Sequence, residues 1–270
     1  MSARATASTD PGDIAADLDR PRPDAAGVLH PPASADARIA CLVPSLTELL
    51  IDLGLADRIV ARTRFCIHPS PAVDAIPAVG GTKKVHLERL RAMAPTHAIV
   101  NIDENTREMA DALGAFVPHL VVTHPLSPDD NRDLYALFGQ VFDCKEKAEL
   151  LYTAYNEAKQ AISGDSGAFP PRTVVYLIWK DPWMTVSRDT YVSALLDLVN
   201  WRTLCHDQDR RYPAIEITPD LIKQTDLFLF SSEPYSFSTA DIDAFARDHD
   251  CPREKLRLVD GEYCSWYGSR

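Results

Sequence analysis

Short apolar runs alternate with amphipathic helical patterns along this chain, and the alternation occurs twice. The first copy begins with IACLV at residues 39–43, and the second begins with TVVYLIW at residues 173–179. Continuous apolar runs of this length are typical of strands that are buried on both faces of a parallel sheet. Alternation of such strands with helices predicts a sheet that is covered by helices on both faces. We therefore predict an α/β fold with two Rossmann-like lobes and mostly parallel sheets.

The segment between the two copies predicts a long, rigid α-helix. The run KEKAELLYTAYNEAKQAISG contains no proline and is rich in strong helix formers. We expect this linker helix over residues 143–165, between an N-terminal lobe at 37–142 and a C-terminal lobe at 166–270. Residues 1–36 are rich in Ala, Pro and Asp and lack hydrophobic periodicity, which predicts a disordered N-terminal arm.

Composition excludes several classes of partner. The formal net charge of −11 argues against nucleic acids and anionic membranes, since no basic surplus exists to neutralise phosphates. No apolar run approaches the ~20 residues that a membrane-spanning helix needs. Residues 1–36 lack the apolar region of a secretory signal, so the sequence as it stands indicates a cytoplasmic protein. The six cysteines are scattered, which favours free thiols over disulfides.

One pattern occurs in both predicted lobes. HLERLRAMAPTHAIVNIDEN at residues 86–105 places an acidic residue, Glu88, at a helix start that is followed by a strand and a charged loop. TPDLIKQTDLFLFSSEPY at residues 218–235 repeats this order with Asp220. In the first lobe, Ser45 and Glu48 also have the S-x-x-E spacing of a helix capping box.

Ligands of open parallel sheets bind beyond the carboxyl ends of the strands, so candidate residues are those that follow the predicted strands. In the first lobe they are Ser45, Thr47, Phe65, His68 and His124, and in the second lobe Trp179, Trp183, Glu233 and Trp266. Large rings on loops suit a cleft that grips a flat ligand. The alternative, that Trp179 and Trp183 pack beneath their own loop, stays open at this point.

The familiar catalytic motifs are absent from the sequence. It contains no G-x-G-x-x-G, Walker, H-E-x-x-H or G-x-S-x-G pattern, which favours a non-enzymatic protein. His68 and His124 are the best candidates for metal ligands, although a histidine near a strand end is more often only hydrogen-bonded. Lys83 and Lys84, beside Gly81, are placed to meet an anionic group.

Three stretches carry a resemblance to a known family. They are IACLVPSLTELLIDLGLADRIVARTRFCIHP, VGGTKKVHLERLRAMAPTHAIVN and YPAIEITPDLIKQTDLFLFSSEP, within residues 37–270. This part of the chain resembles the class III substrate-binding proteins of ABC importers, which are receptors for cobalamin, ferric siderophores, haem and some metal ions. It is most similar to the cobalamin-type receptors, including those called helical backbone metal receptors.

The resemblance implies a monomeric protein that binds a metal chelate or corrinoid in a cleft between the lobes and has no intrinsic cofactor. The implied ligand is cobalamin, haem or a ferric chelate, and Lys83 and Lys84 favour an anionic chelate over cobalamin. The implied stacking residues are Phe65, Trp179, Trp183, Tyr212 and Trp266. From their positions after the predicted strands, we expect further polar contacts from Ser45, Thr47, His68, His124 and Glu233.

Further implications concern partners and location. Glu88 and Asp220 match acidic residues that dock on an ABC permease, one from each lobe. The family implies a periplasmic location and a further C-terminal helix after Arg270. Two other hypotheses stay open: a bare metal-ion receptor with His68, His124 and Glu233 as ligands, and a cytoplasmic metal-dependent enzyme on the same scaffold.

Overall fold

Two compact units make up the protein. The computed structural model describes residues 11–165, 167, 169–204, 207 and 209–270. Unit 1 comprises the described residues up to Pro125, with Asp129–Ala158 and Tyr267–Arg270, and unit 2 comprises the described residues of Leu126–Pro128 and Lys159–Trp266. The chain passes from unit 1 into unit 2 within one long helix, Lys145–Asp165, as the connector sequence predicts.

Unit 1 contains a parallel sheet of four strands and the helices around it. Its strands are β1 (Ile39–Cys41), β2 (Ile59–Arg62), β3 (His97–Asn101) and β4 (His119–Thr123). Its helices are α1 (Pro11–Leu18), α2 (Pro44–Asp52), α3 (Leu87–Ala92), α4 (Arg107–Gly114), α5 (Asn131–Phe142) and the first part of α6 (Lys145–Asp165). The strand order is β2-β1-β3-β4, and every pairing is parallel.

The short strands of unit 1 are stable because both faces of the sheet are covered. All five residues of β3 are buried, and Ala98 and Val100 pack with Leu42, Leu90 and Leu113. Each large apolar side chain that is fully buried contributes roughly 1.5–3 kcal/mol. This explains why the strands lack the polar alternation of a half-exposed sheet.

Helix α2 begins differently from the sequence-based prediction. The predicted capping box at Ser45 and Glu48 is wrong, because the helix starts at Pro44 and its N-cap residue, Val43, makes no side-chain bond. Proline suits the first helical position, where an amide donor has no intrahelical partner. The Glu48 carboxylate instead receives two bonds from the Arg270 guanidinium, at 3.0 and 2.8 Å.

Unit 2 contains a mixed sheet. Its strands are β5 (Arg172–Trp179), β6 (Met184–Thr185), β7 (Trp201–Thr203), β8 (Leu227–Ser231) and β9 (Leu256–Val259). Its further helices are α7 (Tyr191–Asp197), α8 (Pro219–Gln224), α9 (Thr239–Asp248) and α10 (Gly261–Ser265). The strand order is β6-β5-β8-β9, with β7 also paired to β5, and only β6 pairs in the antiparallel direction.

Both units contain the same arrangement around their central strands. Strand β3 lies between β1 and β4, and strand β8 lies between β5 and β9. A short helix precedes each central strand: α3 before β3 and α8 before β8. The repeated sequence pattern with Glu88 and Asp220 therefore corresponds to equivalent structural positions in the two units.

The N-terminal segment differs from the predicted disordered arm over residues 11–36. Helix α1 packs on α5, and the Gln140 side chain donates to the carbonyls of Leu18 and Arg20. The buried Asp24 carboxylate accepts the Val122 amide at 3.0 Å, which covers the outer edge of β4. These contacts use a few scattered residues, which explains why no periodicity revealed them. Residues 1–10 lie outside the described residues.

The last residues also differ from the predicted domain boundary. Tyr267–Arg270 belong to unit 1, although they follow unit 2 in sequence. The Gly268 amide donates to the Asn131 side chain at 2.8 Å, and its carbonyl accepts the Tyr135 hydroxyl at 2.6 Å. Gly268 has φ +118° and lies against Leu49, so a larger residue is disfavoured there. Within the described part of the chain, no helix has both the length and the apolar character needed to cross a membrane.

Candidate functional site

The carboxyl edge of the unit 1 sheet gathers the loops that follow its four strands. Because all pairings are parallel, these loops share one edge. Predicted residues of this unit that follow the strands are Ser45, Thr47, Phe65, His68 and His124. Asp103 and Glu104 follow β3 at the same edge.

Exposed apolar side chains mark this edge. Phe65, Ile67 and Ile102 are 46%, 48% and 46% exposed. The Phe65 ring lies against the backbone of Gly81, where an added Cβ would be 3.2 Å from the ring. The Arg64 guanidinium lies 4.8 Å from the centre of the same ring. The ring is thus held between a glycine and a cation while nearly half of it stays exposed.

Hydrogen bonds fix the loops on which this edge depends. The Asn105 side chain accepts the Asn101 amide at 2.8 Å and donates to the Thr82 carbonyl at 2.8 Å. The Lys83 ammonium donates to the Asp103 carbonyl at 2.6 Å. Together these bonds attach the turn at residues 80–85 to the loop after β3. A preorganised site of this kind loses less entropy when a ligand binds.

The carboxylates of the β3 loop are engaged within unit 1. Asp103 lies 3.4 Å from Nε2 of His124, and Glu104 accepts the Tyr267 hydroxyl at 2.6 Å. Tyr267 is buried, so the C-terminal tail contributes directly to the order of this loop. Sequence reasoning missed this contact because residues 104 and 267 are far apart in the chain.

Ser45 and Thr47 are buried and do not present their hydroxyls at the surface. They are 4% and 0% exposed. The Thr47 hydroxyl donates to the Val43 carbonyl at 2.9 Å and lies 3.1 Å from the Cys66 sulfur. Burial raises the pKa of the Cys66 thiol, which keeps it protonated. Thr47 therefore supports the loop that contains Cys66 and Phe65. The burial of Ser45 and Thr47 differs from their predicted contact with a ligand.

Unit 2 presents a different surface at the corresponding edge. Strands β5, β8 and β9 are parallel. Trp179 ends β5, Glu233 follows β8, and Trp266 follows β9 and the short helix α10. Trp179 is 41% exposed, and its ring centre lies 5.4 Å from that of Tyr235 in an edge-on contact. Tyr235 is the last residue of the repeated pattern TPDLIKQTDLFLFSSEPY and is not among the candidate residues predicted from the sequence. Its aromatic side chain in a strand-end loop could have identified it as a candidate.

A cation flanks this aromatic pair. The Lys180 ammonium lies 5.1 Å from the centre of the Tyr235 ring and is paired with Asp241. The bond from Lys180 lowers the pKa of Asp241 to about 2. The positive charge of Lys180 is therefore compensated within unit 2.

The remaining predicted aromatics of unit 2 differ in exposure. Trp183 is half-buried and packs against Phe237, Phe245 and Phe230, with ring centres at 6.0, 5.2 and 6.3 Å. Trp183 therefore packs against the core of unit 2. This agrees with the alternative that it packs beneath its own loop, and it differs from the predicted stacking on a ligand. Tyr212 is 39% exposed.

Trp266 is 6% exposed and holds Glu233 in place. Its indole Nε1 donates to the Glu233 carboxylate at 2.8 Å. Gly261 allows this approach, since a Cβ there would lie 2.8 Å from the Glu233 amide nitrogen. Trp266 therefore positions Glu233, and it does not provide the exposed stacking surface that the sequence analysis predicts for it.

Comparison with known proteins establishes the family. The family model described as "Periplasmic binding protein" matches residues 39–223. The chain belongs to the periplasmic binding protein family. This confirms the resemblance predicted from the sequence. No curated protein sequence matches the chain significantly.

Solved structures of periplasmic binding proteins share the fold. The periplasmic vitamin B12 binding protein of Vibrio cholerae has 18% identity and a TM-score of 0.68, over 86% of this chain and 91% of its own. The periplasmic heme-binding protein of Roseiflexus sp. RS-1 has 18% identity and a TM-score of 0.70, over 87% and 93%. An ABC transporter substrate-binding protein from Listeria monocytogenes has 15% identity and a TM-score of 0.72, over 86% and 93%.

Two further predicted features of this periplasmic binding protein have defined positions. Glu88 and Asp220 are exposed in the first turns of α3 and α8. Helix α8 is capped by the Thr218 hydroxyl, which accepts the Leu221 amide at 3.2 Å.

Among the residues that the structure describes, no group of three or more His, Cys, Asp or Glu side chains could hold a metal ion.

Proposed function

We propose that this periplasmic binding protein is the substrate-binding component of an ABC importer for a flat metal chelate or corrinoid. The observation that carries the proposal is the pair of exposed rings at equivalent sheet edges. Phe65 lies in the loop after β2 in unit 1, and Trp179 is the last residue of β5 in unit 2. Both are more than 40% exposed. Exposed rings on fixed loops suit a ligand with a large flat surface.

The similar structures support this class of ligand. They include a vitamin B12 binding protein and a heme-binding protein, and both of these ligands contain a large, nearly flat macrocycle around a metal. We propose that the loops at both carboxyl edges contact such a ligand, with Tyr212, His68, His124 and Glu233 as further contacts. His68 and His124 are proposed as contacts to the ligand or to its metal.

We further propose that Glu88 and Asp220 bind a permease. Each is exposed, and each lies at the start of a short helix that precedes a central strand. An acidic residue in a helix's first turn gains ~0.3–1 kcal/mol from the helix dipole, so local stability alone is a small reason for its presence. The proposal implies that the protein functions in the periplasm.

A ligand screen tests the proposed function. Cyanocobalamin, hemin and a ferric catecholate are each titrated into the protein while tryptophan fluorescence and the melting temperature are measured. We expect one of them to quench fluorescence saturably and to raise the melting temperature, because a ligand at 100 times its Kd stabilises the folded state by about 2.7 kcal/mol. If none of the three changes either signal, the proposed function is wrong.

Permease docking has its own test. The variants Glu88→Lys and Asp220→Lys are compared with the unchanged protein in vesicles that contain the candidate permease. We expect transport to fall severalfold while affinity for the ligand stays constant. Unchanged transport, or an equal loss of ligand affinity, contradicts a docking role.

A further inference from the structure

We propose that the ligand carries a carboxylate or a comparable anionic group, which Arg64 binds beside the Phe65 ring. This inference rests on the proposed function and narrows its ligand class. It assigns Arg64 as a specificity-determining residue and predicts that a flat anionic chelate binds in preference to a neutral corrinoid.

The first observation is the position of Arg64. Its side chain is exposed, and its guanidinium lies 4.8 Å from the centre of the Phe65 ring. Stacking on an aromatic ring orients the planar guanidinium and leaves its N–H groups available around the edge. The ring itself is 46% exposed, so a ligand that covers the ring reaches the cation as well.

The second observation is that the acids on the loops after β2 and β3 have contacts other than Arg64 and Lys84. The carboxylates of Asp74 and Glu104 accept bonds from Ser70 at 2.8 Å and Tyr267 at 2.6 Å, and Asp103 lies 3.4 Å from His124. Arg64 and Lys84 are exposed, and in the described part of the chain neither forms an ion pair with a carboxylate. Arg64 and Lys84 are therefore not bound by these carboxylates, and both can meet an anionic group of a ligand.

The third observation is the apolar surface beside these cations. Ile67 and Ile102 are 48% and 46% exposed on the loops after β2 and β3. A flat apolar body with an anionic substituent matches an exposed ring, two exposed aliphatic side chains and a stacked guanidinium. Guanidinium groups bind carboxylates through two parallel hydrogen bonds, which adds geometric specificity.

A second arginine in unit 1 provides a matched control. The Arg91 guanidinium lies 4.5 Å from the centre of the Phe116 ring, and Arg91 is also exposed. Phe116 is half-buried, and it precedes β4, at the opposite end of the strands from Phe65. The two pairs therefore have similar local chemistry, but only the pair at residues 64 and 65 combines it with an exposed ring at the carboxyl edge.

The test compares hemin with its dimethyl ester, which keeps the ring and the iron but lacks the free carboxylates, and with cyanocobalamin. Affinities are measured for the unchanged protein, Arg64→Gln and Arg91→Gln, with circular dichroism to check folding. We expect hemin to bind about tenfold more tightly than its ester, and Arg64→Gln to abolish this difference without weakening ester binding. Arg91→Gln is expected to behave like the unchanged protein.

The other outcomes are equally informative. Equal affinity for hemin and its ester, or unchanged hemin binding in Arg64→Gln, overturns the role of Arg64. Preference for cyanocobalamin overturns the anionic ligand class and leaves the solute-binding proposal intact. Absence of binding by all three compounds overturns this proposal, and the ferric catecholate titration described above then decides the solute-binding proposal separately.

Discussion

The two units share one strand arrangement and differ in the chemistry of their carboxyl edges. Unit 1 fixes its loops with amide and carbonyl hydrogen bonds around Asn101 and Asn105, and it exposes Phe65 beside a cation. Unit 2 fixes its loops by aromatic packing around Trp183, and it exposes Trp179. The strand arrangement therefore sets where the strand-end loops lie, and the residues on those loops set the chemistry of each carboxyl edge.

The largest expected effect on stability concerns Trp183, which packs in unit 2, in contrast to the exposed Trp179. Trp183→Ala removes a ring that contacts three phenylalanines, so we expect the free energy of unfolding to fall by about 3 kcal/mol in urea denaturation. A loss below about 1 kcal/mol would show that Trp183 does not organise the unit 2 core. Trp183→Phe serves as the control that keeps an aromatic ring.

The next effect concerns the tail of unit 1. Arg270→Ala leaves the Glu48 carboxylate, which is 9% exposed, without its two guanidinium bonds. We expect a loss of about 2 kcal/mol in the free energy of unfolding, because an unpaired buried carboxylate is costly.

A matched surface pair in unit 2 provides the control for the tail. Arg253→Ala breaks the ion pair with Asp243, in which both side chains are about half exposed. It should lower the free energy of unfolding by less than about 1 kcal/mol. Adding Glu48→Gln to Arg270→Ala should recover part of the stability. Equal losses in Arg270→Ala and Arg253→Ala would contradict a structural role for the tail.

The units should also differ in their response to acid. His97 in unit 1 is buried and stacks on His119 at 4.6 Å, and burial, with the nearby charges of His119, His30 and Arg58, lowers the pKa of His97 to about 4. The folded state therefore disfavours protonation of His97, so the protein is more stable at pH 7, where this histidine is neutral, than at acidic pH. This contribution, of order 2 kcal/mol, is lost as pH falls from about 6.5 through 4.

In unit 2 the corresponding loss comes at lower pH. The bond from Lys180 lowers the pKa of Asp241 to about 2, so its contribution to stability is complete above its ordinary pKa of about 4. It is lost as pH falls from about 4 through about 2. Unfolding free energies measured between pH 7 and 4.5 should fall in the unchanged protein and fall less in His97→Gln. An identical slope in both proteins would contradict the account of His97.

The smallest effect on stability concerns Trp179. Because its ring is 41% exposed, Trp179→Ala should cost less than about 1 kcal/mol of stability, yet weaken binding of hemin or cyanocobalamin about tenfold. Fluorescence titration and urea denaturation of the same variant measure the two quantities. Unchanged affinity for whichever compound binds would remove Trp179 from the proposed ligand surface.

Much of the fold could be predicted from the sequence because its signals are local. Apolar runs and helical periodicity predicted the strands and α2, and the proline-free connector predicted α6. The parallel arrangement then predicted that Phe65 and Trp179 lie at the carboxyl edges of the two sheets, as they do. The family motifs suggested the proposed ligand class, which no local pattern supplies.

The remaining features depend on contacts between distant residues. Arg270 takes the place of the predicted capping box by binding Glu48, and Tyr267 orders the loop that contains Glu104. Trp183 and Trp266 have the same residue type as Trp179. Only their contacts with the surrounding phenylalanines and with Glu233 show that Trp183 is half-buried and Trp266 is buried. Burial of a single ring cannot be derived from its position after a strand.

Hydrogen–deuterium exchange with and without bound ligand tests the central claim most directly. On addition of hemin, or of cyanocobalamin if only that compound binds, the account predicts slower amide exchange in residues 63–68, 80–85 and 101–105 of unit 1. It also predicts slower exchange in residues 179–183 and 231–237 of unit 2. Slower exchange confined to the amino ends of the strands, or to one unit only, would contradict the proposal that the ligand contacts the loops at both carboxyl edges.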